Sequence, residues 1–279
     1  MKTTSKTTPR RKKTVGRKQA APLSLWDQSA AWYDSLVGDR GSDYQKEIIL
    51  PGALRLLDVK KTHRVLDLAC GQGVFSRYLF DRGIVRVEGL DVSREMVRLA
   101  ASRSRKKIPF HVGDAGGGGV LKGKTFDAVA CLLAVQNMKN LAPVLANVAR
   151  WLKPGGRFVM VMTHPCFRIP RQTHWGWDEE KKIRFRRVDH YASEIDIPIL
   201  TPPMAVSDKF TTTHHRPLQS YFSGLCSAGL WVDVLEEWTS GKTSQPGKRS
   251  RAENRARKEI PLFLAMRARP AFNGASDVS

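Results

Sequence analysis

Short apolar runs alternate with helix-periodic segments along most of the chain. Five runs are apolar almost throughout, which is typical of strands buried on both faces. They are His63–Ala69, Arg86–Asp91, Phe110–Val112, Phe126–Leu132 and Arg157–Met162. Helical periodicity is clearest over 141–152, where apolar residues recur on one helix face. Strands that alternate with helices predict an α/β fold with a doubly wound, mostly parallel sheet.

Two further strand-like runs lie near the C-terminus, at Trp231–Trp238 and Ile260–Met266. They show no clear helical pattern between them, so we expect an antiparallel edge hairpin that completes a seven-stranded sheet. An insertion at about 168–212 is rich in tryptophan and proline, which predicts an ordered cap over the site. Inside it, the alternation over Lys182–Val188 predicts a strand with one solvated basic face. The alternative is that these basic side chains contact an anionic acceptor.

Charge is concentrated outside the predicted sheet. The 279 residues include 47 Lys and Arg against 26 Asp and Glu, a net charge of +21, and residues 1–19 and 241–258 hold two thirds of it. We predict a disordered basic tail at 1–22, one domain at 23–270 with a basic loop at 241–258, and a flexible end at 271–279. Peripheral charge of this kind favours loose polyanion binding by the tails, or simple solvation, over a specific nucleic-acid site.

The composition excludes several classes of protein. No apolar run is long enough for a transmembrane helix, and no apolar segment near the N-terminus suggests a secretory signal. The four cysteines lie far apart without a CxxC pair, so we expect neither a disulfide framework nor a metal site. Together these features predict a cytoplasmic protein in a reducing compartment.

The residues that indicate chemistry lie where the first strand meets its helix, in Asp67-Leu68-Ala69-Cys70-Gly71-Gln72-Gly73. Ligands of doubly wound sheets bind beyond the carboxyl ends of the strands, where small residues let the backbone approach them. Asp91 ends the second strand, a position suited to two ribose hydroxyls. A dinucleotide fingerprint would need glycine where Ser76 stands, which disfavours a nicotinamide dehydrogenase.

At these positions the chain resembles the class I S-adenosylmethionine-dependent methyltransferases, in particular the UbiE-like enzymes with small-molecule acceptors. The similar segments are VLDLACGQG, EGLDVSREMV, HVGDA, FDAVACLLAVQNM and LKPGGRFVMV, within a match over about 25–266. The resemblance implies that fold, S-adenosylmethionine as the cofactor, and methyl transfer by in-line displacement. The aromatic cap favours an apolar or aromatic small-molecule acceptor.

The resemblance also implies which residues surround the cofactor. Those near its methionine part would be Asp67, Ala69, Gly71 and Gly73. Those near its ribose and adenine would be Asp91, Val92, Met96, Asp114 and Ala115. Those that border both the cofactor and the acceptor would be Leu132 and Gln136. Tyr33, with Tyr44 as a weaker alternative, would close the site from an N-terminal helix.

Three histidines are candidates for a general base, which the reaction needs only if the acceptor is protonated. His164 follows the fifth strand, and His214 and His215 precede the helix that begins near Leu218. We expect His164 and His215 to be the catalytic candidates. The alternative, which we favour for His214, is that these side chains fix backbone turns and shape the pocket.

The alternative function is RNA or DNA methylation, with the basic arms holding the nucleic acid. The fourth strand argues against it, because it ends in Ala130-Cys131-Leu132-Leu133 and lacks the Asn/Asp-Pro-Pro-aromatic motif of amino-methylating nucleic-acid enzymes. A third possibility is a non-catalytic cofactor-binding protein. The intact acidic and glycine positions disfavour a loss of cofactor binding.

Overall fold

The computed structural model describes residues 24–104, 107–117, 119–201 and 210–271. Its helices are α1 (Leu25–Val37), α2 (Leu50–Leu57), α3 (Val74–Phe80), α4 (Arg94–Arg103), α5 (Leu141–Trp151), α6 (Leu218–Ser227) and α7 (Ser250–Glu259). Its strands are β1 (Arg64–Leu68), β2 (Arg86–Asp91), β3 (Phe110–Val112), β4 (Phe126–Leu132), β5 (Leu152–Thr163), β6 (Thr173–Asp178), β7 (Ile183–Val188), β8 (Ile195–Leu200), β9 (Phe210–His215), β10 (Leu230–Trp238) and β11 (Phe263–Pro270).

The main sheet has seven strands in the order β10-β11-β5-β4-β1-β2-β3. The strands β5, β4, β1, β2 and β3 are parallel, whereas β11 runs antiparallel to both β5 and β10. The predicted doubly wound, mostly parallel seven-stranded sheet with an antiparallel edge is therefore confirmed. The carboxyl ends of β1, β2, β4 and β5 lie along one edge of the sheet, where such folds bind ligands.

Apolar side chains cover both faces of the sheet. On one face, α5 and α6 pack against β4 and β5 through residues such as Leu145, Tyr221 and Phe158. On the other face, α2 and α3 bury Leu57 and Leu79. Each such fully buried side chain contributes roughly 1.5–3 kcal/mol to stability. The strand ends that form the site are therefore held between two packed layers.

The chain between β10 and β11 differs from the prediction. The expected basic loop at 241–258 contains α7, so the two edge strands are not joined by a simple hairpin. The segment SRAENRARKE is rich in strong helix formers, and Ala256 is buried where α7 packs near β7. Arg184 of β7 lies 3.6 Å from Glu253 of α7, which adds an ion pair to this contact. Without an apolar stripe, the helix was not evident from periodicity.

Strand β5 also begins earlier than predicted, at Leu152 in place of Arg157. Leu152 pairs with Phe126 before an irregularity in the β4–β5 register, so the Pro-Gly-Gly segment that ends α5 continues directly in strand. Strand β11 begins at Phe263, three residues later than the start predicted at Ile260. The sequence also gave no clear sign of α2, which a π-helical turn at Gln45–Ile49 precedes.

Two antiparallel hairpins, β6–β7 and β8–β9, occupy most of the predicted cap insertion. The strand predicted over 182–188 is present as β7, but the expected solvated basic face is wrong. Arg184 and Arg186 are half-buried, with their guanidinium carbons 4.5 and 5.1 Å from the Trp175 ring centre. The exposed face instead carries Ile183 and Phe185, at 39% and 43%, with Arg187 as its one basic residue. Attraction between arginine and the indole ring reverses the orientation that polarity alone predicts.

The predicted tail at 1–22 lies outside the described residues, and so does 272–279 of the predicted flexible end. Within the described part of the chain, no helix is long and apolar enough to cross a membrane. No group of three or more His, Cys, Asp or Glu side chains in the same ranges is arranged to hold a metal ion.

Candidate functional site

The turn after β1 has a left-handed backbone at three alternate positions. The φ angles are +55° at Ala69, +53° at Gly71 and +79° at Gly73, which precedes α3. Alanine in this region is strained by roughly 1–2 kcal/mol, whereas glycine adopts it freely. A Cβ atom added at Gly71 would meet only the Tyr33 ring, at 3.9 Å. The turn therefore leaves an open space against bare backbone beside Gly71.

Asp67 is a buried carboxylate that holds this turn to α3. Its Oδ2 accepts hydrogen bonds from the Ser76 backbone N–H at 3.0 Å and from the Ser76 hydroxyl at 2.6 Å. Burial raises the pKa of Asp67 to about 7, although both hydrogen bonds oppose the shift. Ser76, which interrupts the dinucleotide fingerprint, is thus the residue that anchors the strand-end carboxylate.

Replacing Asp67 by asparagine is expected to change how stability depends on pH. The folded protein keeps the Asp67 proton up to about pH 7, whereas an unfolded chain releases it near about pH 4. Between these values the folded state binds more protons, so the free energy of unfolding falls as the pH rises and levels off above the folded pKa. Asparagine keeps an oxygen for both Ser76 hydrogen bonds but does not titrate. The free energy of unfolding of the variant should therefore fall less steeply as the pH rises. Urea unfolding across this pH range measures both curves, and parallel curves would contradict the assignment.

Asp91 ends β2 and joins two backbone segments at the site. Its Oδ2 accepts from the Gly71 N–H and its Oδ1 from the Ser93 N–H, both at 2.8 Å. Only 8% of the residue is exposed, and this burial raises the pKa of its carboxyl group. The Asp91 carboxylate therefore fixes the glycine turn, and Asp91 and Gly71 line one cavity.

Helix α1 covers the open space, and hydrogen bonds hold it at two places. The Asp27 carboxylate accepts from the Ser93 hydroxyl at 2.6 Å and from the Glu95 N–H at 3.2 Å, at the start of α4. On the cap side, the Ser29 hydroxyl lies 2.8 Å from the Thr201 hydroxyl, just after β8. Helix α1 therefore connects the cofactor side of the site to the cap.

Tyr33 projects from α1 into the centre of the site. Trp26 contacts its ring edge to face at 5.7 Å. Burial and the nearby Asp91 carboxylate raise the pKa of Tyr33 to about 12, so its phenol stays protonated at neutral pH. Tyr44, the weaker candidate, lies elsewhere, edge to face against Phe263 at 5.8 Å and beneath the Lys242 ammonium at 4.8 Å.

Two small cavities meet at Tyr33. One of about 130 Å³ reaches towards Asp91, Val92 and Met96, and one of about 50 Å³ reaches towards Asp67 and α2. Both are lined by Tyr33, Ala69, Gly71 and Leu132. A larger cavity of about 750 Å³ lies on another part of the surface, away from the strand ends. The two small cavities are the candidate site because of the residues that line them, not because of their volume.

The lining of the two cavities suits S-adenosylmethionine. The 130 Å³ cavity offers a buried carboxylate at Asp91 and apolar walls at Val92 and Met96, as a nucleoside requires. The space beside Gly71 would be filled by any Cβ atom. The combined volume is below the roughly 300 Å³ typical of ligand pockets. We therefore expect Tyr33 or α1 to shift when the cofactor enters.

The structure brings together most of the predicted cofactor residues, but not all of them. The residues that line the cavities are Tyr33, Asp67, Ala69, Gly71, Asp91, Val92, Met96 and Leu132. The residues that do not line them are Gly73, Asp114, Ala115 and Gln136. Gly73 packs towards Phe110 and Ala100, and exposed Asp114 accepts from the Gly116 N–H at 2.9 Å. The Ala115 carbonyl accepts from Asn147, so both ends of the predicted adenine loop have protein partners.

Sequence reasoning also missed several residues that line the cavities. Those that follow β4 are Leu133, Ala134, Asn137 and Met138, and those from α1 and the π-helical turn include Trp26 and Gln45. Leu133 has a left-handed backbone at φ +57°, which turns the chain sharply after β4. The position of this segment directly after a central strand was a usable signal. Gln45 lines the cavity only because of tertiary packing, so no local signal in the sequence indicated it.

Both ring nitrogens of His164 are engaged by the protein. Its Nε2 donates to the Glu237 carboxylate at 2.7 Å, and its Nδ1 accepts from the Cys166 and Phe167 N–H groups at 3.2 and 3.4 Å. Burial lowers the pKa of His164 although Glu237 opposes the shift. This arrangement fixes the turn after β5 and leaves no ring nitrogen for an acceptor, in keeping with the positioning role considered above.

His215 has a different environment. Its Nε2 lies 2.9 Å from the Tyr191 carbonyl, which can only accept, so Nε2 carries the proton and Nδ1 has the lone pair. Burial lowers its pKa, so the ring is neutral at neutral pH. His214 is paired with Asp196 at 2.6 Å, which fits the structural role favoured for it.

His215 and Gln136 line a cavity of about 20 Å³, together with Thr213, His164 and His214. The Gln136 amide donates to the Leu133 carbonyl at 2.9 Å, whereas its Oε1 is buried without a hydrogen-bond partner among the described residues. Thr213 is also 3.4 Å from Asn137, which lines the 130 Å³ cavity. A small cavity with an unsatisfied acceptor in its lining thus lies next to the cofactor cavity.

Known proteins resemble the chain in both sequence and structure. A family model described as "Methyltransferase domain" matches residues 66–160. A demethylmenaquinone methyltransferase of Tropheryma whipplei is 32% identical over 40% of this chain, and the chain spans about half (47%) of that protein's length. A dTDP-3-amino-3,6-dideoxy-alpha-D-glucopyranose N,N-dimethyltransferase of Streptomyces fradiae is 28% identical over 78% of this chain and 91% of its own length.

Structural similarity extends over most of the fold. The crystal structure of an S-adenosylmethionine-dependent methyltransferase from Mesorhizobium loti has 25% sequence identity and a TM-score of 0.64, and covers 83% of this chain and 100% of that one. Residues 66–160, which match the family model, include the glycine turn after β1 and the carboxylate that ends β2. The fold is therefore that of the class I S-adenosylmethionine-dependent methyltransferases, and residues 66–160 match a methyltransferase domain.

Proposed function

We propose that this protein transfers a methyl group from S-adenosylmethionine to a small-molecule acceptor. The observation that carries the proposal is the covered cavity in which bare backbone at Gly71 and the buried carboxylate of Asp91 face each other under α1. The two relatives named above are a demethylmenaquinone methyltransferase and a methyltransferase of a dTDP-linked amino sugar. Both names describe small-molecule acceptors, which supports this class of acceptor over a macromolecule.

The residues that would hold the cofactor follow from the lining. Asp91 would accept from the two ribose hydroxyls, and Val92 and Met96 would pack against the adenine. Gly71 and Asp67 would border the methionine part, with Tyr33 above it. When bound, the cofactor supplies an electrophilic methyl group on a positively charged sulfur. The protein's part is to orient the acceptor and to exclude water, and orientation alone contributes several kcal/mol.

The acceptor would lie between Leu132 and the cap. The walls after β4 are mostly apolar, at Leu133, Ala134 and Met138, while Asn137 adds an amide. This lining suits an acceptor with an apolar or aromatic body and a single polar nucleophilic group. The buried Oε1 of Gln136, which has no hydrogen-bond partner among the described residues, would accept a hydrogen bond from the hydroxyl or amine that becomes methylated.

His215 is the residue that we assign to proton removal. Its Nδ1 lone pair belongs to a neutral ring, because burial lowers its pKa and the Tyr191 carbonyl holds the proton on Nε2. A base of this kind accepts the acceptor's proton as the new bond to carbon forms. His164 supports the same region as a positioning residue through Glu237.

Incubation with cofactor labelled in its methyl group tests the proposal directly. Cell extract is separated into metabolite and nucleic-acid fractions, and each is incubated with purified protein. We expect label in the metabolite fraction, in a product that mass spectrometry can identify. Label confined to RNA or DNA would overturn the small-molecule assignment and favour nucleic-acid methylation.

Replacing His215 by asparagine should lower kcat about 100-fold for an acceptor that must lose a proton, the usual lower range for a general base. Cofactor affinity should be unchanged, because His215 does not line the cofactor cavities. The matched control is His214→Asn, which lines the same 20 Å³ cavity but has its Nδ1 paired with the exposed Asp196. The acidic limb of the kcat pH profile should disappear in His215→Asn alone. Equal losses in both variants with unchanged pH profiles would indicate a structural role.

A further inference from the structure

A surface groove of about 750 Å³ lies in the described part of the chain, separate from the candidate active site. Three parts of the chain line it: residues between 39 and 50 after α1, residues between 74 and 82 in and just after α3, and residues 103, 104, 107 and 108 at the end of α4 and before β3. Its apolar floor is Leu50, Val74 and Ile108, which are almost fully buried. Leu50 and Val74 also line the 50 Å³ cavity, so these two side chains separate the groove from the cofactor site.

The groove is strongly basic. Its cationic lining residues are Arg40, Lys46, Arg77, Arg82, Arg103 and Lys107, and its acidic ones are Asp39 and Asp81. Arg103 lies 2.5 Å from Asp34 and 3.1 Å from Asp39, so its charge is already neutralised. Burial and the neighbouring Arg103 lower the pKa of Arg77. Because the cationic lining residues outnumber the acidic ones, the groove still carries an excess of positive charge.

Three of the cations have no counter-ion among the residues that the structure describes. Within the described ranges, no carboxylate oxygen lies within 4.0 Å of the charged nitrogens of Arg40, Arg82 or Lys107. They are exposed and come from the three different parts of the chain that form the groove. Cations spread over three parts of a groove of about 750 Å³ suit successive phosphates of an extended chain better than a single phosphate.

Arg82 adds a feature that points to nucleotides. Its guanidinium carbon lies 3.4 Å from the centre of the Tyr78 ring, so the guanidinium is stacked on the phenol. Because Arg82 is exposed, its outer surface is available to a further planar group. Nucleic-acid bases stack on arginine and aromatic side chains in grooves that follow a phosphate backbone.

We propose that this groove binds single-stranded nucleic acid through its phosphate backbone, without sequence preference. The site is distinct from the cofactor cavity, and the proposal stands whether or not the small-molecule activity is confirmed. It places polyanion binding in the folded domain and not only in the basic segments 1–19 and 241–258. Such binding would localise the enzyme on RNA or single-stranded DNA, while the acceptor enters from the cap side.

Fluorescence anisotropy with a labelled 12-nucleotide oligouridylate tests the proposal on the full chain. The groove variant carries Arg40→Glu, Arg82→Glu and Lys107→Glu. The control carries the same charge change at Lys60→Glu, Lys61→Glu and Arg86→Glu, which are exposed outside the groove. We expect the groove variant to weaken binding at least about tenfold and to reduce the salt slope by about 2, since each backbone contact contributes about 0.7. The control should change affinity less than about threefold.

Either of two results would overturn the proposal. Equal weakening in both variants would show that net charge alone attracts the oligonucleotide, and no weakening in either would place binding outside the groove. A third arm adds inorganic tripolyphosphate as competitor. If it binds as tightly as the oligonucleotide and depends on the same three residues, the groove is a site for small phosphates. Unchanged circular dichroism and unchanged S-adenosylmethionine binding in the groove variant show that the fold is intact.

Discussion

Replacing Asp91 by alanine is expected to weaken S-adenosylmethionine binding by about 3 kcal/mol, or a factor of about 100. The carboxylate would accept hydrogen bonds from two ribose hydroxyls, and hydrogen bonds to charged groups contribute about 1.5–3 kcal/mol each. The substitution also removes the acceptor for the Gly71 N–H, which positions the turn beneath the cofactor. Both effects act in the same direction, so the loss in affinity should be large.

Titration calorimetry of the purified variant measures this loss. Asp91→Asn keeps one carboxamide oxygen and should lose only about tenfold, because one charge-assisted hydrogen bond is replaced by a neutral one. Asp81→Ala, at the exposed end of α3, is the control and should bind as the unmodified protein does. Thermal unfolding shows whether each variant is folded. Unchanged affinity in a folded Asp91→Ala protein would contradict the assignment of the cavity.

Replacing Gly71 by valine should abolish measurable cofactor binding and leave most of the stability intact. The added side chain would enter the open space that the cofactor requires, where it meets only Tyr33. The backbone at φ +53° adds a cost of roughly 1–2 kcal/mol in the folded state. Loss of binding would therefore greatly exceed the loss of stability.

The matched control is Gly123→Val. Gly123 has a similar left-handed φ of +76°, and nothing lies within 4 Å of a Cβ atom added there. Both variants should lose a similar amount of unfolding free energy, measured in urea, but only Gly71→Val should lose cofactor binding. If Gly71→Val still binds S-adenosylmethionine normally, the space beside the turn is not the cofactor site.

The central sheet and much of the cavity lining were predictable because local pattern and tertiary packing agree there. A buried parallel strand is apolar over its length, and the chain must turn sharply where it ends, so Asp67, Gly71 and Asp91 were evident. Asp114 follows β3 in the same way, but its side chain bonds its own loop and does not line the cavity. A position directly after a strand therefore predicts that a residue lies at the ligand-binding edge of the sheet. It does not predict the direction in which the side chain points.

The cap and α7 were less predictable because contacts distant in sequence decide their orientation. Alternation over β7 identified a strand, but Trp175 on the paired strand determines that Arg184 and Arg186 turn inwards. Helix α7 has almost no apolar stripe, and its contacts are polar ones to Arg184 and within its own segment. The cavity lining by Gln45 likewise depends on how the π-helical turn packs on the sheet.

The double attachment of α1 has a consequence for the order of events at the site. Asp27 joins this helix to the start of α4, and Ser29 joins it to the end of β8 in the cap. A shift of α1 that admits the cofactor must also disturb the cap side, so the two ligands act on one moving element. Binding of either ligand then changes the affinity for the other by the same factor. Cofactor and acceptor should accordingly bind cooperatively, with the helix itself carrying the coupling.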